Sequence, residues 1–328
     1  MLDGFSRKIE YLRISLTDRC NLRCKYCMPA EGVPKNSHWD ILTLEEILRV
    51  VRLISKLGIK KIRLTGGEPL IRRNLLLLIK EIRKIPAIEN IAITTNGVLL
   101  ADMAQDLYEA GIDQLNISLD TMRKETFADL CRVDALEKVL QGIDTAIKTG
   151  FSDIKINCVP IKGVNDEDIA ELAGLAQNHP IKVRYIELMP VGCAFDSGLK
   201  GLPTSEVRSL IEKKWGTLHE LPPAKGKILG PASYCKLDGF SGEIGFIDAL
   251  EHKFCDKCNR VRLTSEGFLK LCLNHKEGTD LRTPLRKGKS DEELLELLTA
   301  AINQKPQEHL FLEKNDHRDK RNMYQVGG

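Results

Sequence analysis

No apolar run in this 328-residue sequence approaches the ~18 residues of a membrane span, which excludes a helical membrane protein. The opening residues, MLDGFSRK, carry charges where a signal peptide would carry its apolar stretch, so the expected home is the cytosol. Net charge is only +3. That excludes the electrostatic footprint of a nucleic-acid or membrane-surface binder, and any basic residue that matters must act locally. Low-complexity segments are absent, and the only internal repetition is an alternation of strand and helix. The 42% hydrophobic and 29% charged content is that of a soluble globular chain, long enough for about two domains.

Cysteine, by contrast, is plentiful. Ten cysteines in a reducing compartment are not expected to form a disulfide framework, and clustered ones more often bind metal. Six fall in two clusters. The other four, Cys131, Cys158, Cys193 and Cys235, are isolated and read as small buried hydrophobes.

The first cluster is CNLRCKYC, with Cys20, Cys24 and Cys27 on one short loop after the strand Tyr11–Leu16 and the turn Thr17-Asp18-Arg19. Three soft thiolates so placed suit an iron–sulfur cluster, against zinc or unrelated buried thiols as the plainer readings. Three local cysteines leave one iron of a four-iron cubane open to a further ligand. The full CxxxCxxC, with Tyr26 before its last cysteine, is far more specific than a lone CxxC.

Beyond a Pro/Gly-rich linker, 29–36, the pattern becomes regular. Thr43 and Glu46 form a capping box, apolar residues from Leu44 to Leu57 recur at helical spacing, and Gly58 stands where a C-cap belongs. Strands then alternate with helices: Lys61–Thr65, Ile91–Thr94, Gln114–Leu119, Ile154–Val159 and Lys182–Leu188. Helices are expected over Asn74–Ile85, before Gly111, before Gly150, and from Asn165 with Asp168. Strand punctuation is polar or glycine-rich at the C-terminal ends: GGEP, TNG, Asp120 and Met189-Pro190. Six such strands argue for parallel pairing with right-handed crossovers and a site at that edge. The expectation is α/β: a partial, open (βα)6 TIM-type barrel over residues 1–191. A doubly wound open sheet stays possible on periodicity alone.

From residue 192 the texture changes, with a higher density of glycine and proline, Gly226 among them. One helix is expected over Ser205–Trp215, with short strands at Gly245–Ile247 and within Val261–Leu273 about a turn at Ser265-Glu266-Gly267. A last helix follows a capping box at Ser290 and Glu293. This C-terminal α+β extension, 192–328, holds the second cluster, Cys255, Cys258 and Cys272, with His275 three residues on. On spacing alone zinc, an iron–sulfur cluster and no metal all remain open. Arg260 and Arg262 flank Val261, so on a strand both share a face, fit for an anion such as phosphate or else a solvated basic face. The charged tail, 309–328, is expected on the surface apart from its last residues.

Taken together, CNLRCKYC, TGGEP, TTNG, NISLD, the CxxC-x13-C trio with RVR, and the C-terminal Gly-Gly occur in one chain and one order. The whole resembles the bacterial GTP 3′,8-cyclases of molybdenum cofactor biosynthesis, radical S-adenosylmethionine enzymes. The resemblance implies two 4Fe-4S clusters, on Cys20, Cys24 and Cys27 and on Cys255, Cys258 and Cys272. It implies S-adenosylmethionine contacts at Tyr26, Gly67, Ser118 and Met189, with Glu68 nearby. GTP contacts fall on Arg13, Arg63, Thr94, Lys155, Arg260 and Arg262, with Arg184 weaker. It implies hydrogen abstraction from C3′ of GTP followed by attack on C8, giving the cyclic dihydroguanosine triphosphate, with no protein general base. It further implies a flavodoxin or ferredoxin as electron donor, a link to cyclic pyranopterin monophosphate synthase, and a monomer or homodimer. His275 is a bystander to the family's pattern. The terminal Gly327-Gly328 would reach the active site. The segment before Ala135 is shorter than the family's usual one. Alternatives are a radical S-adenosylmethionine enzyme that matures a peptide through an auxiliary cluster, which usually has more C-terminal cysteines, and a zinc-stabilised binding module.

Overall fold

The computed structural model describes residues 1–33, 38–223, 230–250, 252–313 and 319–327. The end of the linker at 34–36, Gly226, part of the charged tail and the terminal Gly328 lie outside these. The first six strands are β1 (Tyr11–Ser15), β2 (Lys61–Thr65), β3 (Asn90–Thr95), β4 (Gln114–Ser118), β5 (Ile154–Cys158) and β6 (Lys182–Ile186). They pair in sequence order, each parallel to the next. Isoleucine and leucine at alternate strand positions, such as Leu12, Ile14, Ile62, Leu64, Ile91 and Ile93, are fully buried. Their opposite-facing neighbours are polar or charged, so the sheet packs one face on helices and reserves the other.

Several of the intervening helices carry the end signals read in the sequence. At Leu44–Lys56 the hydroxyl of Thr43 accepts from the Glu46 backbone, and the Glu46 carboxylate accepts from that of Thr43. Such a box contributes about 1 kcal/mol. Gly111 and Gly150 close the helices Leu100–Ala110 and Leu136–Thr149 in left-handed conformations at φ +101° and +95°. No helix among the described residues is long and apolar enough to cross a membrane.

The C-terminal third adds β7 (His219–Glu220), β8 (Ser233–Lys236), β9 (Glu243–Ile247), β10 (Arg260–Leu263), β11 (Phe268–Lys270) and β12 (Gly278–Asp280). These extend both edges of the same sheet. β10 lies parallel to β1, and β9 parallel to β6. The result is a 12-stranded sheet in the order β12-β11-β10-β1-β2-β3-β4-β5-β6-β9-β8-β7. The open six-stranded barrel is therefore flanked by a further parallel strand at each edge. Antiparallel hairpins then occupy the outer edges of β9 and β10, and the barrel stays open.

Two local expectations are corrected. Asn165 holds the N-cap position of a 3-10 turn, Asp166–Asp168, that runs into the α-helix at Ile169, but its side chain does not cap it. It is fully buried, and its amide donates to the carbonyls of Asp120 at 2.7 Å and Val159 at 3.0 Å, tying two strand ends together. Nor does the tail merely coat the surface. Asp319 enters to pair with Lys270, which has no exposed area, because a buried ammonium needs an anion beside it.

Candidate active site

The cysteine loop leaves the C-terminal end of β1 and is bolted down from two sides. Backbone amides of Cys27 and Met28 donate to the Cys24 carbonyl at 2.9 and 3.0 Å, turning the chain back on itself. Arg23 and Lys25 donate to the carbonyls of Cys131 and Leu130, and Arg132 reaches the carbonyls of Arg23 and Met28. The short segment before Ala135 is thus the clamp of this loop. The Cys20 sulfur accepts from the Leu22 amide at 3.4 Å and from Asn96 Nδ2 at 3.5 Å. Cys27 accepts a backbone hydrogen bond from Tyr324 in the tail. Burial pushes the Cys20 thiol up to about 12 and the Cys27 thiol well above its ordinary value. Cys131, Cys158 and Cys235 are buried as expected, but Cys193 is partly exposed. It begins a short helix whose first amide is held by the Asn322 side chain rather than packed into the core.

The glycine-rich turn after β2 lies against this loop. A Cβ on Gly67 would stand 2.1 Å from the Arg19 carbonyl oxygen, so only glycine fits. Glu68 is buried and accepts from Thr95 Oγ1 at 2.8 Å, Leu70 N at 3.0 Å and Asn96 N at 2.7 Å. Burial raises its carboxyl to about 7 against those three hydrogen bonds. Glu68, Asn96 and Cys20 therefore form one chain of contacts from the β2 and β3 ends to the first sulfur. Asn96 was not singled out in the sequence, although the TTNG turn contains it. Tyr26 donates its phenol to Asp120 at 2.7 Å, just past β4. Ser118 ends β4, and Met189 follows β6 at the same edge of the sheet.

The second trio stands where the extension meets β1. Cys255–Lys257 is a single 3-10 turn, Cys258 leads directly into β10, and the hairpin β10–β11 returns the chain to Cys272. Cys255 and Cys258 accept backbone hydrogen bonds from His309 and Arg260. Burial alone would raise the Cys258 thiol, but Lys305, Arg260 and Arg7 outweigh it and hold it at about 7. His275 is engaged elsewhere, with Nε2 3.0 Å from the Glu308 carbonyl. Soft thiols receiving N–H···S bonds fit iron–sulfur clusters.

Between the trios the interior face of the sheet carries two rows of charge. Arg262, Arg13 and Arg63 stand directly opposite one another on β10, β1 and β2; two residues earlier stand Arg260, Tyr11 and Lys61. Side chains two apart on a strand share a face, so both rows point inward. Further along, Thr94 is registered with Asn116, and Asn116 with Lys155. Arg63 donates to Thr94 Oγ1 at 3.2 Å and Gln114 Oε1 at 3.0 Å. Lys155 binds both Asp153 oxygens at 2.6 Å, and Arg184 reaches Asn116 and Asn157 at 3.0 Å. Arg63, Lys155, Arg184 and Arg262 are all buried, so the solvated-face reading of Arg262 does not hold.

Such a cluster favours an anion. Like charges directly opposite repel, and each buried cation costs several kcal/mol of desolvation. Burial, then Arg262, drives the Arg13 guanidinium well below its usual value. Burial and Arg260 bring Arg262 to about 10, and burial brings Lys61 to about 8 and Lys155 to about 7. The Nε atoms of Arg63 and Arg260 and the Nδ2 of Asn116 are buried without a hydrogen-bond partner.

Sequence reasoning missed Tyr11 and Lys61. Lys61 and Arg63 each lie 5.6 Å from the centre of the Tyr11 ring. Burial would raise the Tyr11 phenol, but Arg63, Arg13, Lys61 and Arg260 outweigh it and bring it to about 8. The available signal was period two: Tyr11-x-Arg13 and Lys61-x-Arg63 on otherwise apolar strands. The tail also ends here. Arg262 Nη1 donates to the Gly327 carbonyl, and a Cβ on Gly327 would stand 2.8 Å from Thr65 Cγ2.

Comparison with known proteins agrees with this geometry. A model of the Radical SAM superfamily matches residues 14–176, and one of Molybdenum Cofactor Synthesis C matches residues 181–311. The chain is 46% identical over 331 residues to a GTP 3′,8-cyclase of Clostridium perfringens (strain SM101 / Type A), covering all of both chains. It is 44% identical over 328 residues to a GTP 3′,8-cyclase of Moorella thermoacetica, again covering all of both. Among solved structures, Streptococcus suis SuiB bound to S-adenosylmethionine has a TM-score of 0.62 at 17% identity, over 90% of this chain and 68% of that one, a likeness of fold.

Proposed function

The chain belongs to the GTP 3′,8-cyclase family of radical S-adenosylmethionine enzymes, and from that premise we propose that its barrel interior holds GTP between the two cysteine trios. The protein is an enzyme that cyclises GTP to (8S)-3′,8-cyclo-7,8-dihydroguanosine 5′-triphosphate at the start of molybdenum cofactor biosynthesis, with two 4Fe-4S clusters and S-adenosylmethionine as cofactors. The observation that carries the substrate placement is the facing row Arg262–Arg13–Arg63, which gathers three guanidiniums on one face of the barrel interior.

Cys20, Cys24 and Cys27 would hold the first cluster, and Cys255, Cys258 and Cys272 the second. When bound, the first cluster and S-adenosylmethionine supply the one-electron chemistry that begins the cyclisation. The residues of the chain do the rest by position. Gly67, with no side chain, lets the cofactor approach the loop, with Tyr26, Ser118 and Met189 around it. Arg13, Arg63, Lys155, Arg260 and Arg262 take the triphosphate, and Thr94 lies toward the sugar or base. Gly327, whose carbonyl accepts from Arg262, would act beside the triphosphate. Residues 1–191 would serve radical generation and part of the triphosphate site, and 192–328 the second cluster and the rest of substrate placement. A flavodoxin or ferredoxin is the expected reductant, and the cytosol the expected compartment.

The direct test is anaerobic. Reconstituted protein given reductant, S-adenosylmethionine and GTP deuterated at C3′ should place deuterium in 5′-deoxyadenosine and form the cyclised triphosphate. Cofactor cleavage without deuterium transfer from GTP would overturn the reading.

The cation rows also predict the pH dependence of binding. In the empty site Lys155 and Lys61 titrate at about 7 and about 8. A triphosphate favours their charged forms and raises both values. Binding must then take up protons between those values and the raised ones. GTP affinity is expected to fall as pH rises from about 7 to 9, by up to about tenfold per unit for each proton taken up. Titration of the reconstituted protein at several pH values checks this, and an affinity that is flat or rises with pH contradicts it.

A further inference from the structure

Lys305 is 2% exposed, yet its ammonium has no carboxylate partner among the described residues; it donates to the carbonyl of Leu271, the residue before Cys272. Its backbone is pinned against the second cysteine loop by Arg7. That guanidinium donates to the carbonyls of Pro306 at 2.7 Å, Gln307 at 2.6 Å and Cys255 at 2.9 Å. The charge of Arg7 is balanced by Asp3 at 2.7 Å. The charge of Lys305 is balanced by nothing comparable, and it acts on the thiols of both Cys258 and Cys255.

An ammonium buried without an anion costs several kcal/mol. Folded chains keep such a group where a permanent negative charge stands beside it. Three thiolates and the cluster they hold are such a charge, and hydrogen bonds and charges around the sulfurs set the cluster's potential. Resting on the assignment of Cys255, Cys258 and Cys272 as ligands of the second cluster, we propose that Lys305 is that cluster's resident counter-charge and holds its reduction potential up. Reduction adds a negative charge beside the ammonium, so the reduced form gains more from it. Lys305 is a positioning and electrostatic residue; it touches neither substrate nor the reacting atoms.

The test uses full-length protein with both clusters reconstituted, titrated with reductant and followed by electron paramagnetic resonance. Lys305→Gln keeps a donor toward the Leu271 carbonyl and loses the charge; Lys305→Arg keeps the charge. In Lys305→Gln the reduced-to-oxidised ratio of the second cluster at a fixed potential should fall at least tenfold, about 59 mV for a one-electron couple. The first cluster should not move, and Lys305→Arg should behave as the parent. An unchanged second cluster in Lys305→Gln overturns the proposal. Where Lys305→Gln loses the second cluster, its retention in Lys305→Arg supports the proposal, and its loss in both overturns it in favour of packing. Parent protein that binds only about four irons would instead overturn the ligand assignment beneath the proposal.

Discussion

Replacement of Cys20 by alanine is expected to abolish S-adenosylmethionine cleavage, by at least about a thousandfold, which is ~4 kcal/mol of barrier. The protein should nonetheless fold and keep about four irons at the second trio. The reason lies in how the sulfur is held. Cys20 is only partly buried, so loss of one sulfur leaves little cavity. One of its two N–H donors belongs to a residue with other anchors. Asn96 Nδ2 also donates to Asn21 Oδ1 at 2.7 Å, and the Asn96 backbone stays on Glu68. The loop is clamped through Cys131 and Leu130 carbonyls that the substitution does not touch. Removing a ligand should therefore remove the cluster without removing the fold. Iron content, thermal midpoint and 5′-deoxyadenosine formation separate the two. Normal cleavage in Cys20→Ala would refute the assignment of the first trio.

Much of this arrangement is legible in the sequence because it is local. The boxes at Thr43/Glu46 and Ser290/Glu293 are each confined to four residues, and both form as read. CxxxCxxC and GGE declare themselves for the same reason. What the sequence hides is register between distant segments. Nothing local says that Arg260 lies opposite Tyr11, or that β9 should lie parallel to β6. Those pairings bury short strands whose apolar content is unremarkable, and their stability comes from the barrel edges they cover. Hence Arg262 shows itself in the local RVR pattern and Arg13 only through the resemblance, while Tyr11 and Lys61, equally central to the rows, carry no local signal beyond a period of two. Lys305 was hidden more deeply. A lysine before a proline reads as a helix-end cation, and only burial without a carboxylate marks it out.

The substitution that probes the rows most sharply is Arg262→Met, because the two states of the site should respond in opposite directions. In the empty protein Arg262 is 9% exposed, faces Arg13 across the strand pair and is depressed by burial and Arg260. Replacing a buried, repelled cation with an apolar side chain of similar length is often neutral or stabilising, by ~1–4 kcal/mol. Its hydrogen bond to the Gly327 carbonyl is lost, which offsets part of that gain by about 1 kcal/mol. The thermal midpoint without GTP should therefore stay level or rise. With GTP the same residue would face a triphosphate in a buried site. Removing one partner of a buried charge pair costs ~2–5 kcal/mol, roughly thirtyfold to several thousandfold in affinity. GTP should then fail to stabilise Arg262→Met at concentrations that stabilise the parent, while both clusters remain loaded. A control at Arg123, a surface arginine paired with Glu167 and Asp168, should leave both readings unchanged. A variant that loses empty-state stability and keeps GTP affinity would mean that Arg262 holds the tail and not the substrate. The opposite pattern can arise only if the repulsion written into the strand register is what the nucleotide relieves.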